Sequence, residues 1–360
     1  MRKAFSAGMF WTAALICLAC AAGWALDRET PKADQDMARA LALAADHWDD
    51  LCDKAVASLT GLAREYAAAL AATPSPGSPE REALLKNARR QGPVVGFKSY
   101  PDAEKREPAF QSPSPALYSY AGPDVPEAAW RELAALTKIS GELKRLHDEL
   151  DLSWVYLATV NESFAIYPFL PLSDAVNNDK PTRQVFYTAA SFDSRKAGWT
   201  EPYLDLAGAG MMVTAAYPVY DGDTLLGVVA RDITLRQIAS GLDAAAAKHG
   251  SVAALIDGGG VVVAASGKYA EEIETTGGSN GKATLHYRLP EALRGRDETE
   301  AVSSMHDFLN AAGEAAVDKA RNLAPGEAAD FDLSLKQSRY HINVRKTRTA
   351  GWLVLGVETI

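Results

Sequence analysis

An aspartate closes one of the most apolar strands in this chain. In "AYPVYDGDTLLGVVARDITL", residues 216–235, the run from Leu225 carries only Arg231 before it stops at Asp232. Alternate strand residues face opposite sides. Leu226, Val228, Ala230 and Asp232 therefore share one face, and Leu225, Gly227, Val229 and Arg231 share the other. With the first set against a core, Asp232 lies at the inner rim of a sheet, where a carboxylate is costly unless paired or hydrogen-bonded. A helix follows, with Thr234 as its N-cap, so one occupation for Asp232 is to accept N–H bonds from that helix start.

Other chemistries find little support. The chain has no His-Glu-x-x-His, and its histidines, at 47, 147, 249, 286, 306 and 341, lack ligand spacing. His341 in "RYHINV" reads as a strand residue. "DGGG" at 257–260 lacks the strand-then-helix context of a phosphate loop and reads as a hairpin turn. Asp49-Asp50 and Glu271-Glu272 read as solvated faces. No catalytic residue, metal or cofactor is expected, and the chain reads as a non-enzyme.

The elements that position Asp232 come from a 360-residue chain of net charge -9, 48% hydrophobic and 23% charged, a folded composition long enough for two domains. No basic stripe is visible, which sets nucleic-acid binding aside. Arg2 and Lys3 precede an uncharged run from Ala4 to Leu26, read as a secretory leader cleaved after Ala25 or, uncleaved, as a membrane anchor. Cys17 stands where a lipoprotein signal ending at Cys20 wants Leu. Residues 27–360 are therefore expected outside the cytoplasm, in the periplasm. They hold one cysteine, Cys52, so no internal disulfide is possible.

Residues 34–72 form one long helix, with Leu41, Ala44, Trp48, Leu51, Val56, Leu59, Leu62 and Tyr66 near one stripe. A short helix starts at Ser78-Pro79-Glu80. A Pro-rich stretch with one short strand leads to a helix at about 127–150. "WVYLATV" and "SFAIYP" form a hairpin around Asn161-Glu162, a helical segment follows at 181–191, and two strands flank Asp221-Gly222. A helix from Thr234 to Gly250 follows, and a second unit then begins, with the boundary near residue 245. It comprises "SVAALID" and "VVVAAS" as a hairpin, helices near 268–274 and 303–321, and three closing strands, "ADFDLSL", "RYHINVRKT" and "GWLVLGVE". The class is α+β, one long helix before two units with mostly antiparallel sheets.

"WTEPYLDLAGAGMMVTAAYPVYDGDTLLGVVARDITL", residues 199–235, resembles the signature stretch of double Cache domains, the extracytoplasmic sensory modules of bacterial chemoreceptors, histidine kinases and nucleotide cyclases. "WVYLATVNESFAIYP" is similar to that family's first hairpin, and "VAALIDGGGVVVAAS" and "TAGWLVLGVE" to its membrane-proximal half. The resemblance implies two tandem PAS-like subdomains after a leader at 1–25 and a long helix at 26–76. The membrane-distal, ligand-binding one spans 77–245 and the membrane-proximal one 246–360. It also implies binding without catalysis. With no output domain after the last strand, signalling is expected through a separate membrane receptor or transporter, and a homodimer through the N-terminal helix is a further expectation. The alternative is a structural or protein-interaction module whose pocket is filled by its own side chains.

The resemblance puts a contact to a ligand amine at Asp232, alongside the cap role. It makes Trp199 and Tyr203 a pocket wall, and Tyr203 pairs an apolar ring with a hydrogen-bonding tip suited to a small polar ligand. For Trp199 packing over the sheet is the better reading. Tyr156 and Tyr167, on the first hairpin, are candidates for the same cavity, as is Tyr187. Members that bind amino-acid carboxylates place an Arg three residues before the Tyr of a Trp-Tyr pair. In this chain the pair is Phe186-Tyr187, Gln184 stands at that spacing, and Arg183 is one place off, rotated by roughly 100° on a helix. Amine, amino acid and organic acid all stay open as ligands.

Overall fold

The computed structural model describes residues 8–86, 88–97, 114–150, 152–175, 180–205, 210–246, 252–258, 262–267, 304–335 and 337–360, with the side chains of the first helix from Asp36 on. Of the leader or anchor expected at 1–26, residues 8–26 are helical backbone at the start of the first helix, while residues 1–7 and the helix expected near 268–274 lie outside the described residues. Among the described residues no helix is long and apolar enough to cross a membrane.

Helix α1 (Gly8–Ala71) covers the helix read at 34–72 up to Ala71, and α2 (Ser78–Leu85) is the short helix read from Ser78. The α1 stripe of Leu41, Trp48, Leu59, Leu62 and Tyr66 is buried. A first sheet holds β1 (Arg89–Gln91), β2 (Val94–Phe97), β3 (Ala116–Ser119), β4 (Val155–Thr159), β5 (Ser163–Tyr167), β6 (Gly198–Trp199), β7 (Tyr203–Asp205), β8 (Gly210–Asp221) and β9 (Thr224–Thr234). Its order is β1-β2-β3-β5-β4-β9-β8-β6, with β7 also on β8. A second sheet is ordered β11-β10-β14-β13-β12, from β10 (Val252–Ile256), β11 (Val262–Ala265), β12 (Ala328–Leu335), β13 (Ser338–Lys346) and β14 (Leu353–Thr359). Every described pairing is antiparallel, which is the expected α+β class.

Three local readings change. The helix expected at 127–150 is two, α3 (Glu127–Lys138) and α4 (Ser140–Leu150), because Ile139 leaves helical geometry at φ -94, ψ 6. After α5 (Leu172–Ala175), the segment at 181–191 is a 3-10 turn, Pro181–Arg183, then α6 (Val185–Thr188), split by Gln184 at ψ 153. Leu226 departs from the simple alternation: Val219 pairs with Gly227 and Tyr220 with Leu225, so Leu226 is the extra residue of a bulge. It packs with the cluster that holds Val229, away from Val228.

One helix serves two cores. Leu59, Leu62 and Tyr66 of α1 pack with α3, α4 and one face of the first sheet. Met37, Leu41 and Trp48 pack with the second sheet and α7 (Leu235–Ala246). At Gly356 on β14 a Cβ would stand 2.7 Å from Met37 Sδ and 2.9 Å from Leu41 Cδ1, so any larger residue would push these side chains of the helix aside. The turn before β14 is tied down by Asp49, 2% exposed, whose Oδ1 accepts Arg348 N at 2.8 Å and Thr349 N at 3.0 Å. Expected on a solvated face, Asp49 is instead a buried clamp; Asp50, bonded to Lys54, is solvated. The side chain of Arg348 also meets Asp46, with both groups exposed.

Asp49→Ala leaves those amides unmet, and charged acceptors contribute about 1.5–3 kcal/mol each way. Urea denaturation should show a loss of about 2–3 kcal/mol, against under about 1 kcal/mol for Asp46→Ala. Equal effects would refute the clamp.

Candidate functional site

The first sheet has two buried faces of different chemistry. The face toward α1, α3 and α4 is mostly aliphatic, with Val155, Leu157, Ala215 and Val229. The other is aromatic, with Tyr118, Tyr120, Trp154, Tyr156, Phe164 and Tyr187 around Val228 and Ala230. Phe186, Phe192 and Tyr203 lie against it, half-exposed. The β9 bulge sets the alternation so that Asp232 faces this aromatic side and its neighbour Arg231 the other.

Asp232 is 3% exposed. Its Oδ1 accepts Thr214 Oγ1 at 2.6 Å, Tyr156 OH at 2.9 Å and Tyr203 OH at 3.4 Å, and the Tyr203 and Thr214 hydroxyls stand 2.7 Å apart. Among the described residues no hydrogen bond reaches Oδ2. Burial pushes the carboxyl up to about 7, against the three hydroxyls that favour its ionised form, and Asp205 nearby raises it further. Burial likewise drives the Tyr156 and Tyr203 phenols well above their usual range. Across the sheet, Arg231 donates to Leu146 O at 2.6 Å and Ser58 Oγ at 3.2 Å, and burial lowers it to about 10. Pointing to opposite faces, these two charges do not neutralise one another.

A second buried carboxylate shows what a closed site looks like. Glu132 on α3 accepts Asn161 Nδ2 on Oε1 at 2.8 Å, and Thr159 Oγ1 and Ser163 Oγ on Oε2 at 2.6 and 2.9 Å. Both of its oxygens are met from within the fold.

Asp232 does not cap α7. Thr234 does, in a capping box: its Oγ1 accepts Gln237 N at 3.3 Å, and Gln237 Oε1 accepts Thr234 N at 3.0 Å. Of the candidates from the sequence, Tyr156 and Tyr203 touch Asp232, and Tyr187 is buried on the same face, its phenol pushed up to about 12 chiefly by burial. Tyr167 belongs to the opposite face, its ring 5.1 Å from His147 on α4, because strand parity sets it out of phase with Tyr156 across β4–β5. Arg183 is exposed on its 3-10 turn, and no described contact joins it to Asp232. Trp199 packs between the sheets, its ring 5.7 Å from Trp48 and 5.6 Å from Trp352. The sequence reading missed Thr214, although it is the cross-strand partner of Asp232 in the hairpin, and Phe186, whose ring stands 4.9 Å from Tyr156. Among the described residues no group of three His, Cys, Asp or Glu side chains is placed to hold a metal. A groove of about 680 Å³ between α1 and α7, lined by Arg39, Leu43, His47 and Gly241 among others, includes none of the candidate ligand residues.

Residues 159–240, which hold most of this aromatic face and Asp232, match the family described as methyl-accepting chemotaxis protein-like, first PDC sensor domain. That match agrees with the double Cache resemblance of residues 199–235. The chain is 28% identical over 138 residues to the methyl-accepting chemotaxis protein McpC of Bacillus subtilis, a match of 36% of this chain and 21% of that protein. It thus spans about a fifth of that relative's length. Among solved structures it is similar to the ligand-binding domain of the Pseudomonas aeruginosa amino acid chemoreceptor PctC in complex with GABA (18% identity, 61% of this chain and 80% of that one, TM-score 0.38). It is also similar to the sensory domain of the Campylobacter jejuni chemoreceptor Tlp3 (14% identity, 63% and 74%, TM-score 0.38).

The folded chain holds the Asp232 proton more tightly than the unfolded chain, whose aspartate titrates near 3.9. Between about pH 4 and pH 7 the native state carries a proton that the unfolded state has lost, so raising the pH across that window destabilises the fold. Burial also raises Glu132 and adds slope of the same sign. Asp232→Asn should therefore flatten, without abolishing, the fall in stability between pH 4 and pH 7. Parallel curves for variant and wild type would show that Asp232 is ionised throughout.

Proposed function

We propose that this protein is an extracytoplasmic sensor that holds a small cationic ligand, an amine, against Asp232 on the aromatic face of its first sheet, acts without catalysis, and passes its state to a separate membrane partner. One observation carries the reading: a buried carboxylate gathers all of its described hydrogen bonds on one oxygen. The sensor-domain match over residues 159–240 supports it from another side. The surrounding rings suit such a guest, because aromatic faces attract a desolvated cation. Arg183 is exposed on its turn and has no described contact with Asp232, so an amine without a carboxylate fits better than an amino acid. Tyr203 and Phe186, half-exposed beside Asp232 and Tyr156, are the side chains with freedom to admit it.

A second reading has its own support. Tyr156, Thr214 and Tyr203 already cover Asp232, which is what a pocket filled by its own side chains looks like. That protein would bind only another protein.

A thermal-shift screen of the purified protein against amines, amino acids and organic acids separates the two. A ligand at about 100 times its Kd stabilises by roughly 2.7 kcal/mol, or about 4 °C in a chain of this length. An amine hit is expected, weakening about tenfold per pH unit below about 7 as Asp232 takes up its proton, and lost in Asp232→Asn while Arg183→Ala keeps it. A hit whose affinity ignores pH and Asp232 would overturn the assignment. Silence from every compound would leave the filled pocket.

A further inference from the structure

Three tryptophans meet between the two sheets. Trp48 of α1 stacks on Trp352 at 5.2 Å between ring centroids, and Trp199 of β6 stands 5.7 Å from the first and 5.6 Å from the second. Each comes from a different part of the fold: the shared helix, the first sheet and the turn into β14. Trp48 is followed by Asp49, which clamps the backbone of Arg348 and Thr349. On the other side of Trp352, its own amide donates to Thr347 Oγ1 at 2.8 Å and its carbonyl accepts Thr347 N at 2.7 Å. Trp48 Nε1 is buried with no hydrogen-bond partner among the described residues. The seam therefore holds an orphan donor that any rearrangement able to satisfy it would stabilise.

From this seam a short run of direct contacts leads to Asp232. Gly198 and Trp199 pair with Ala216 and Ala215 of β8. A Cβ at Gly198 would stand 1.8 Å from Ala189 O, so β6 is wedged against the segment that carries Phe186 and Tyr187. Thr200, next to Trp199, grips Thr214 twice: Thr200 N donates to Thr214 O at 3.0 Å, and Thr200 Oγ1 accepts Thr214 N at 2.8 Å. Thr214 in turn donates to Asp232 Oδ1 at 2.6 Å. No described contact joins Trp199 to Asp232 directly, so the two threonines are the link.

We propose that Trp199 is a transmission residue: the state of the Asp232 carboxylate is passed through Thr214 and Thr200 to the tryptophan seam, and so to the second sheet. The chain Asp232–Thr214–Thr200–Trp199–Trp352 crosses from one sheet to the other in side chains and hydrogen bonds that are buried or half-buried. The proposal rests on the sensor reading only in taking Asp232 as its input, and it names no ligand.

A double-mutant cycle tests it without any ligand. Asp232→Asn, Trp199→Phe and the double variant are compared by urea denaturation at pH 8, then again with Thr200→Val added to each. Separate sites that share no partner add to within about twofold in the unfolding constant, whereas coupled residues depart by more. The expected result is a departure of about fivefold or more in the wild-type background, falling to within about twofold once Thr200 is replaced. Additivity in the wild-type background, or coupling that survives Thr200→Val, overturns the proposal. Should Trp199→Phe fail to fold, the near-ultraviolet circular dichroism of Asp232→Asn decides, in a Trp154→Phe background so that the indole of the residue whose carbonyl accepts the Asp232 amide does not report. A changed tryptophan band supports the proposal and an unchanged one overturns it. A silent ligand screen leaves this test standing, and an additive cycle leaves a ligand at Asp232 standing.

Discussion

A carboxylate on the inner face of a sheet must find its donors before the sheet can close over it. Asp232 finds them on three other strands: Tyr156 from β4, Tyr203 from β7 and Thr214 from β8. Those strands lie around β9 only in one register. A slip of one residue would turn Asp232 toward the aliphatic face and Arg231 toward the aromatic one, stranding both charges. The bulge at Leu226 matters for the same reason. It resets the alternation between the exposed turn at Asp221-Gly222 and the buried end of the hairpin, so that Asp232 arrives on the aromatic side. The register of β8 and β9 and the position of the carboxylate are one constraint.

The same strand end ties the first sheet to its neighbours. Arg231 reaches the last turn of α4 at Leu146 and α1 at Ser58, while Thr234 starts α7, which carries the chain toward the second sheet. Within four residues, then, β9 touches the aromatic face, the shared helix and the connecting helix. Since α1 contributes to both cores, neither sheet is packed independently of the other. A rigid strand with contacts on both sides transmits small displacements, because close-packed interiors repack in steps and yield little by continuous deformation.

Much of this was legible in the sequence, for physical reasons that also explain what was not. The α1 stripe recurs at helical spacing over many turns, and the Asp221-Gly222 hairpin announces itself by turn chemistry. Face membership was readable where alternation ran unbroken, at Val228, Ala230 and Asp232. It failed at Leu226, because a bulge is set by pairing with β8 and leaves no mark in β9 alone. The break of α3 from α4 at Ile139 carried no proline or strong signal. Asp49 was misplaced for a related reason: its acceptor role depends on amides about 300 positions away. Trp199 and Tyr203 stand four residues apart, yet one faces the seam and the other Asp232, because β6 and β7 are separate short strands on β8. The Thr234–Gln237 capping box, by contrast, was written in the local sequence, and it frees Asp232 from the humbler role.

That freedom is best judged against Glu132. Both carboxylates are buried in the same part of the chain, both are pushed up by desolvation, and both collect hydroxyl donors. Glu132 distributes its partners over two oxygens and uses a side-chain amide as well as hydroxyls, so its lone pairs are met and the polar cluster closes on itself. Asp232 concentrates three hydroxyls on Oδ1, and the Tyr203 hydroxyl divides itself between Thr214 and the carboxylate. A tyrosine hydroxyl so shared can change its partner without leaving the cluster unsatisfied. On the proposed reading Asp232 has two states, protonated and covered or ionised and engaged by a cation, whereas Glu132 is met on both oxygens from within the fold. A buried carboxylate that is only half answered by its own protein is the kind of group for which an incoming charge changes the balance most.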